Sequence, residues 1–331
     1  MARIPGPECG HSKPCFIDPG TMCRSLSPVP SPAGCQPLTL PARRQAAPVT
    51  NDPFSGATPY DQARSLLRPV LPYGKYGKPL DQLPKTLEEL VGKRVSVPTD
   101  LFRKYLAKEG IKEADIGGSL VVSLPRVLYF VIHDTSSPVY SGSFPSDINE
   151  PTWSAKRGRT SRQPANVFVT RIGTSFTHSD FSHPELATKY SIKYAQKSAQ
   201  FVHTELMQPR LKDRRGVDAF APQPGFPVAQ LERLAMIYLA ASVRHGSWLV
   251  PAFHAVVDME FVHGPSFNHQ ACLQNNARYG RSARKLCEDP HDDPQNFDLN
   301  AWAENLTSVI NAVYGVRPAG EEKMRGVGSK A

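Results

Sequence analysis

The 331-residue chain lacks any run of about 18 consecutive apolar residues, which excludes a bilayer-spanning helix. Cysteine is scarce: six residues are too few for a disulfide-dense miniprotein, and they are unevenly placed. Cys9, Cys15, Cys23 and Cys35 lie near the start, spaced more widely than the close pairs of cysteine zinc sites. Zinc, disulfides and free thiols all stay open there. Cys272 and Cys287 sit in one late segment and are placed to close a loop in an oxidising compartment. The opening residues carry no apolar stretch of the kind that marks a secretory signal, so either the protein stays inside the cell or its natural start is elsewhere. No internal repeat is visible.

Proline is abundant: 32 residues, 12 of them in the first 60, so that end is not expected to be core. A hydrophobic fraction of 40% with 21% charged residues is ordinary for a folded chain. The net charge of +9 and pI near 9.3 favour a polyanionic partner, whether nucleic acid, anionic membrane or acidic wall polymer.

The chain divides into a Pro-rich, weakly ordered extension (1–60), a helical embellishment (61–125), a main domain (126–318) and a disordered tail (319–331). In the embellishment, Thr86 with Glu89 three residues on has the form of a capping box. Thr99 is placed to cap a second helix that carries Leu101, Phe102, Tyr105 and Leu106 and stops at Gly110. From Val127 to Ile132 an apolar, β-branched and aromatic run reads as a strand buried on both faces. Residues 166–177 read as a hairpin around Gly173, and Phe201–Leu206 as another strand. Leu231, Leu234, Ala235, Tyr238 and Ser242 recur at helical spacing over 228–245, with Gln230, Arg233 and Arg244 off that stripe. A last helix is expected from Asn300 to about Val313. Strands interleaved with helices predict an α/β fold with a central mixed β-sheet flanked by helices.

Two of the ten histidines stand out by position. His133 ends a buried strand, where side chains emerge into a crevice. His254 follows Val250-Pro251-Ala252-Phe253 after the long helix. Further on comes His291-Asp292-Asp293-Pro294. Two neutral imidazoles and one carboxylate, with a fourth position open, make a catalytic zinc arrangement, although spacing alone does not bring the three together. Glu205 lies in an apolar strand, a setting suited to a general base. Asp134 and Asp292 flank ligand candidates and are candidates to orient them. His203 is assigned to the opposite sheet face and to a structural role.

Val131-Ile132-His133-Asp134-Thr135-Ser136 resembles the first-ligand motif of the zinc N-acetylmuramoyl-L-alanine amidases, the family that shares its fold with peptidoglycan recognition proteins. Phe201-Val202-His203-Thr204-Glu205-Leu206 is similar to that family's strand bearing an active-site glutamate. Helix 228–245 leading to His254 resembles the approach to its second ligand, and Asp293-Pro294-Gln295-Asn296-Phe297-Asp298 its closing motif. The matches follow family order across roughly residues 126–315. The resemblance implies an amidase-like fold, a Zn2+ ion held by His133, His254 and Asp293, and Glu205 as the catalytic acid–base.

Two departures stand beside it. Asp293 lies 39 positions after His254, a far longer interval than is usual in the family. The added stretch carries Asn268, Arg278, Arg281, Arg284 and Lys285 and reads as a basic loop or as a solvated charge run. Where the family has a lysine two positions before the third ligand, this chain has His291, an imidazolium able to stabilise an oxyanion only while protonated.

The implied activity is zinc-dependent hydrolysis of the amide between N-acetylmuramic acid and L-alanine in peptidoglycan or muropeptides. Arg157, Arg159 and the 278–285 loop are candidates to attract acidic substrate groups. The alternative is a non-catalytic peptidoglycan-binding module of the same fold. Nucleic acid is set aside as a partner, for no basic motif is interleaved with aromatics at a recognisable spacing. A wall substrate and the cysteines fit a periplasmic or secreted setting; the missing signal fits a cytoplasmic one.

Overall fold

The computed structural model describes residues 56–71, 75–135, 137–139, 146–150, 153, 165–211, 225–263 and 297–316. In chain order its helices are α1 (Pro59–Leu66), α2 (Lys85–Leu90), α3 (Thr99–Lys108), α4 (Lys189–Lys193), α5 (Val228–His245), α6 (His254–Asp258) and α7 (Leu299–Gly315). The strands are β1 (Val70–Leu71), β2 (Lys75–Tyr76), β3 (Tyr129–Asp134), β4 (Ser137–Val139), β5 (Val167–Val169), β6 (Ser175–Thr177), β7 (Phe201–Leu206), β8 (Pro209–Leu211) and β9 (Val250–Phe253).

The main sheet has the order β6-β5-β7-β3-β9. β3 pairs in parallel with β7 and β9, β7 pairs in parallel with β5, and β6 folds back antiparallel on β5 as the expected hairpin. The fold is therefore α/β with a mixed sheet. Every residue of β3 and β7 is buried, including His203, Thr204 and Glu205 of β7.

Alternation along β3 divides its side chains between two layers. Phe130 meets Tyr238 of α5 edge-on at 5.2 Å, and Tyr238 meets Trp302 of α7 at 5.3 Å. On the other face Tyr129 stacks on Phe201 at 5.0 Å, and its hydroxyl donates to Gln62 Oε1 of α1. Beyond Asp134 and Leu206 the two central strands continue as the parallel pair β4–β8. The junction is bridged where Thr135 Oγ1 donates to the Gln208 carbonyl at 2.8 Å and accepts from the Gln208 N–H at 2.9 Å.

α5 spans the residues expected of it and ends at Gly246, whose φ of +90° carries the chain out of the helix. Gln230 and Arg244, off the apolar stripe, are nonetheless buried. The helix is enclosed between sheet and α7, so its polar side chains serve as ties: Gln230 Nε2 donates to the Val169 and Met207 carbonyls at the ends of β5 and β7. Arg244 donates to the Val122 and Gly117 carbonyls and to Asp180 Oδ1.

Leu66, Leu87, Phe102 and Leu106, from α1 to α3, belong to the same hydrophobic core as the sheet. α1 begins at Pro59 with the Thr58 hydroxyl accepting from the Asp61 N–H, so the sequence boundary at residue 60 falls within its first turn. The expected capping box at Thr86 does not form. Pro84 precedes a helix that starts at Lys85, and the Thr86 hydroxyl pairs instead with Thr307 of α7 at 2.7 Å. Thr99 likewise lies inside α3, after Pro98. Among the described residues no helix is long and apolar enough to cross a membrane.

Gly117 has φ +98°, and a Cβ there would come within 2.2 Å of the Phe181 ring. Gly110, at φ +67°, has open space around the same position. Gly117→Ala is expected to destabilise the protein by about 2–4 kcal/mol, from overpacking added to backbone strain, and Gly110→Ala by only about 1 kcal/mol. Urea unfolding compares them; equal losses would mean that the Phe181 contact yields without cost.

Candidate functional site

The C-terminal ends of β3, β7 and β9 lie side by side, because the three strands run parallel. The register sets His133 opposite Glu205 and Val131 opposite His203. All four side chains therefore belong to one face of the sheet. On β9, Ala252 pairs with Val131, and His254 follows two residues later as the first residue of α6. The imidazoles of His133 and His254 meet with ring centroids 4.5 Å apart and planes inclined by 35°. The two metal-ligand candidates legible from sequence are thus brought together. Glu205, 4% exposed, stands on the strand beside His133.

Two further residues belong to the cluster. Assignment of His203 to the far face is corrected by the register, since residues two apart on a strand share a face, and 203 and 205 are such a pair. His203 Nδ1 and His133 Nε2 share a hydrogen bond of 3.0 Å. Sequence reasoning also missed Asp258. It lies one helical turn after His254, and its Oδ2 accepts from His254 Nε2 at 3.2 Å. The fully buried Asp258 carboxylate is anchored by the N–H groups of Lys189 and Tyr190, both at 2.9 Å. The usable signals were period two on the strand and i,i+4 on the helix. Asp134, by contrast, alternates onto the face opposite His133.

Beyond α6 the chain winds into a π-helical turn, Met259–His263, where Glu260 makes a buried ion pair with Arg68. Burial pushes the Glu260 carboxyl up against the pull of Arg68. The pair fixes the segment that follows the second ligand candidate to the end of α1.

Burial, with the neighbouring His254 and His203 rings, holds the His133 imidazole well below its usual pKa. His203 is pushed down to about 3, first by burial and then by His254, with Asp258 opposing. Both rings are neutral at pH 7, the form in which imidazole ligates a metal. A depressed folded pKa means that an unfolded imidazole, titrating near 6.5, binds a proton that the native state refuses. Through His203, stability of the metal-free protein therefore falls as pH drops from about 6.5 towards about 3, by at most about 1.4 kcal/mol per pH unit, and the lowered His133 acts in the same direction. Urea titrations at pH 7 and pH 5 are expected to show that loss, with a shallower dependence in His203→Asn. Identical slopes in the two proteins would contradict a neutral, buried His203.

Asp293, His291, Asp292, Arg157, Arg159, the 278–285 loop and all six cysteines lie outside the described residues. Among the described residues no three His, Cys, Asp or Glu side chains form a group placed to hold a metal ion. The described part of the centre is thus two imidazoles, each held by an outer partner, beside a buried glutamate. No protein-family model, curated protein or solved structure matches the chain.

Proposed function

We propose that the protein is a zinc-dependent amidase that hydrolyses the bond between the lactyl group of N-acetylmuramic acid and the L-alanine of the stem peptide. The observation that carries this reading is the meeting of His133 and His254 at 4.5 Å, from different strands, on the face that also bears Glu205. Two buried-edge imidazoles, with outer partners on their Nε2 atoms, suit a zinc ion as ligand pair. Asp293 supplies the third donor. Phe297, four residues after it, packs on Phe253 at 5.5 Å, next to His254. At about 3.5 Å of chain per residue, that tether allows the carboxylate to reach the two rings. A mixed sheet with helices packed on it is also what an amidase-like fold requires.

Zinc, when bound, supplies Lewis acidity that polarises the scissile carbonyl and brings the pKa of a water to about 7. Glu205 takes the proton of the attacking water on a carboxylate oxygen and returns it to the departing amine, whose C–N bond breaks. His291, protonated, stabilises the oxyanion that develops on the carbonyl oxygen. Arg157, Arg159 and the basic 278–285 loop draw in stem-peptide carboxylates or anionic wall polymer, in keeping with the net charge of +9. The setting that goes with a wall substrate is periplasmic or secreted; cytoplasmic recycling of muropeptides is the alternative.

The test is elemental analysis of purified protein, followed by incubation of the zinc-loaded form with whole sacculi and with soluble anhydromuropeptides. Mass spectrometry is expected to show free stem peptide from one or both. Bound zinc without released peptide would replace hydrolysis by recognition alone, and absence of zinc binding would remove the centre altogether.

A further inference from the structure

We propose that His203 is the positioning residue of this centre: by engaging His133 Nε2 it holds the ring in place and leaves Nδ1 as the nitrogen that ligates. The inference rests on the zinc reading above but concerns a residue that the amidase resemblance gives no role. His203 is fully buried, and its Nδ1 lies 3.0 Å from His133 Nε2. Its other nitrogen, Nε2, has no hydrogen-bond partner among the described residues. Among the described residues the one hydrogen bond of this buried ring is therefore that to His133. On its other side the ring lies nearly parallel to Phe201, at 6.2 Å and 15°, which restricts rotation out of line.

Two neutral imidazoles that share a hydrogen bond place one proton between them, so His133 Nε2 is committed whichever ring donates. Ligation through Nδ1 leaves that bond intact, with His133 Nε2–H donating to His203 Nδ1; ligation through Nε2 would break it. Asp258 engages Nε2 of His254 in the same sense. The two ligand rings are thus oriented through the same ring atom by different partners, an imidazole for one and a carboxylate for the other.

A purely structural ring and a positioning ring respond oppositely to substitution. Phenylalanine keeps the ring volume and the packing on Phe201 but loses the hydrogen bond. Asparagine loses the ring but keeps a polar atom near the place of Nδ1. In the full chain, His203→Phe is expected to weaken zinc binding by about 10–100-fold, with His203→Asn closer to wild type, measured by competition with a chromophoric chelator. Phenylalanine tolerated better than asparagine would overturn the proposal. A second measurement needs no variant: 15N NMR of histidine-labelled, zinc-loaded wild type is expected to show the metal-induced shift of His133 at Nδ1, and a shift at Nε2 would overturn it. Wild type that binds no zinc overturns the hydrolase reading and this inference together. Wild type that binds zinc with the wrong variant order or the wrong nitrogen overturns this inference alone.

Discussion

Exchange of Glu205 for glutamine is expected to lower turnover by about 10²–10⁴-fold, the usual worth of a positioned general acid–base, while zinc content stays at the wild-type level. The side chain stands on β7 directly across from His133, so it lies beside the proposed ligand without being one. At 4% exposure the carboxylate is shielded from bulk buffer, which is therefore a poor substitute for it in the proton transfer. Glutamine matches glutamate in shape and leaves packing against the sheet undisturbed, but its amide does not accept a proton at neutral pH. Release of stem peptide and bound zinc, measured on the same preparation, separate the two consequences. Turnover near wild type in Glu205→Gln would remove the glutamate from the mechanism. Loss of zinc along with activity would make it a ligand instead.

How far such a site is legible from sequence depends on the range of the interactions that build it. β3 announces itself because burial on both faces demands an unbroken apolar run, and α5 because eighteen residues give its spacing time to show. The ends of elements are decided by neighbours instead. Thr86 is drawn to Thr307 on a helix far along the chain, which local capping patterns do not contain. β4 and β8, with no apolar run, exist as a pair through the bridge between Thr135 and Gln208. Of the site, His133 and His254 are legible as strand-end histidines, and Glu205 through the amidase resemblance. Their convergence is not, because only the parallel pairing of β3 with both β7 and β9 produces it. Asp258 and His203 needed just the periods of the elements that carry them, applied to the neighbours of the first candidates.

His133→Ala carries the other large expected effect: loss of zinc and, with it, of activity. The fall in affinity must exceed the about 10–100-fold that removal of an outer partner costs, because the substitution deletes a ligand rather than the group that orients one. The order His133→Ala below His203→Phe below wild type is therefore a condition on the whole arrangement, and chelator competition measures all three. His254→Ala belongs beside His133→Ala in zinc affinity but differs in stability. His133 is buried in the central strand between β7 and β9, so its removal opens a cavity and strands the polar Nδ1 of His203. His254 is 21% exposed at its side chain, and Asp258 keeps the N–H groups of Lys189 and Tyr190 when the imidazole goes. In the metal-free proteins, then, His133→Ala is expected to lower the urea midpoint more than His254→Ala. Zinc retained at full stoichiometry by either variant would refute the ligand set, whatever the stabilities.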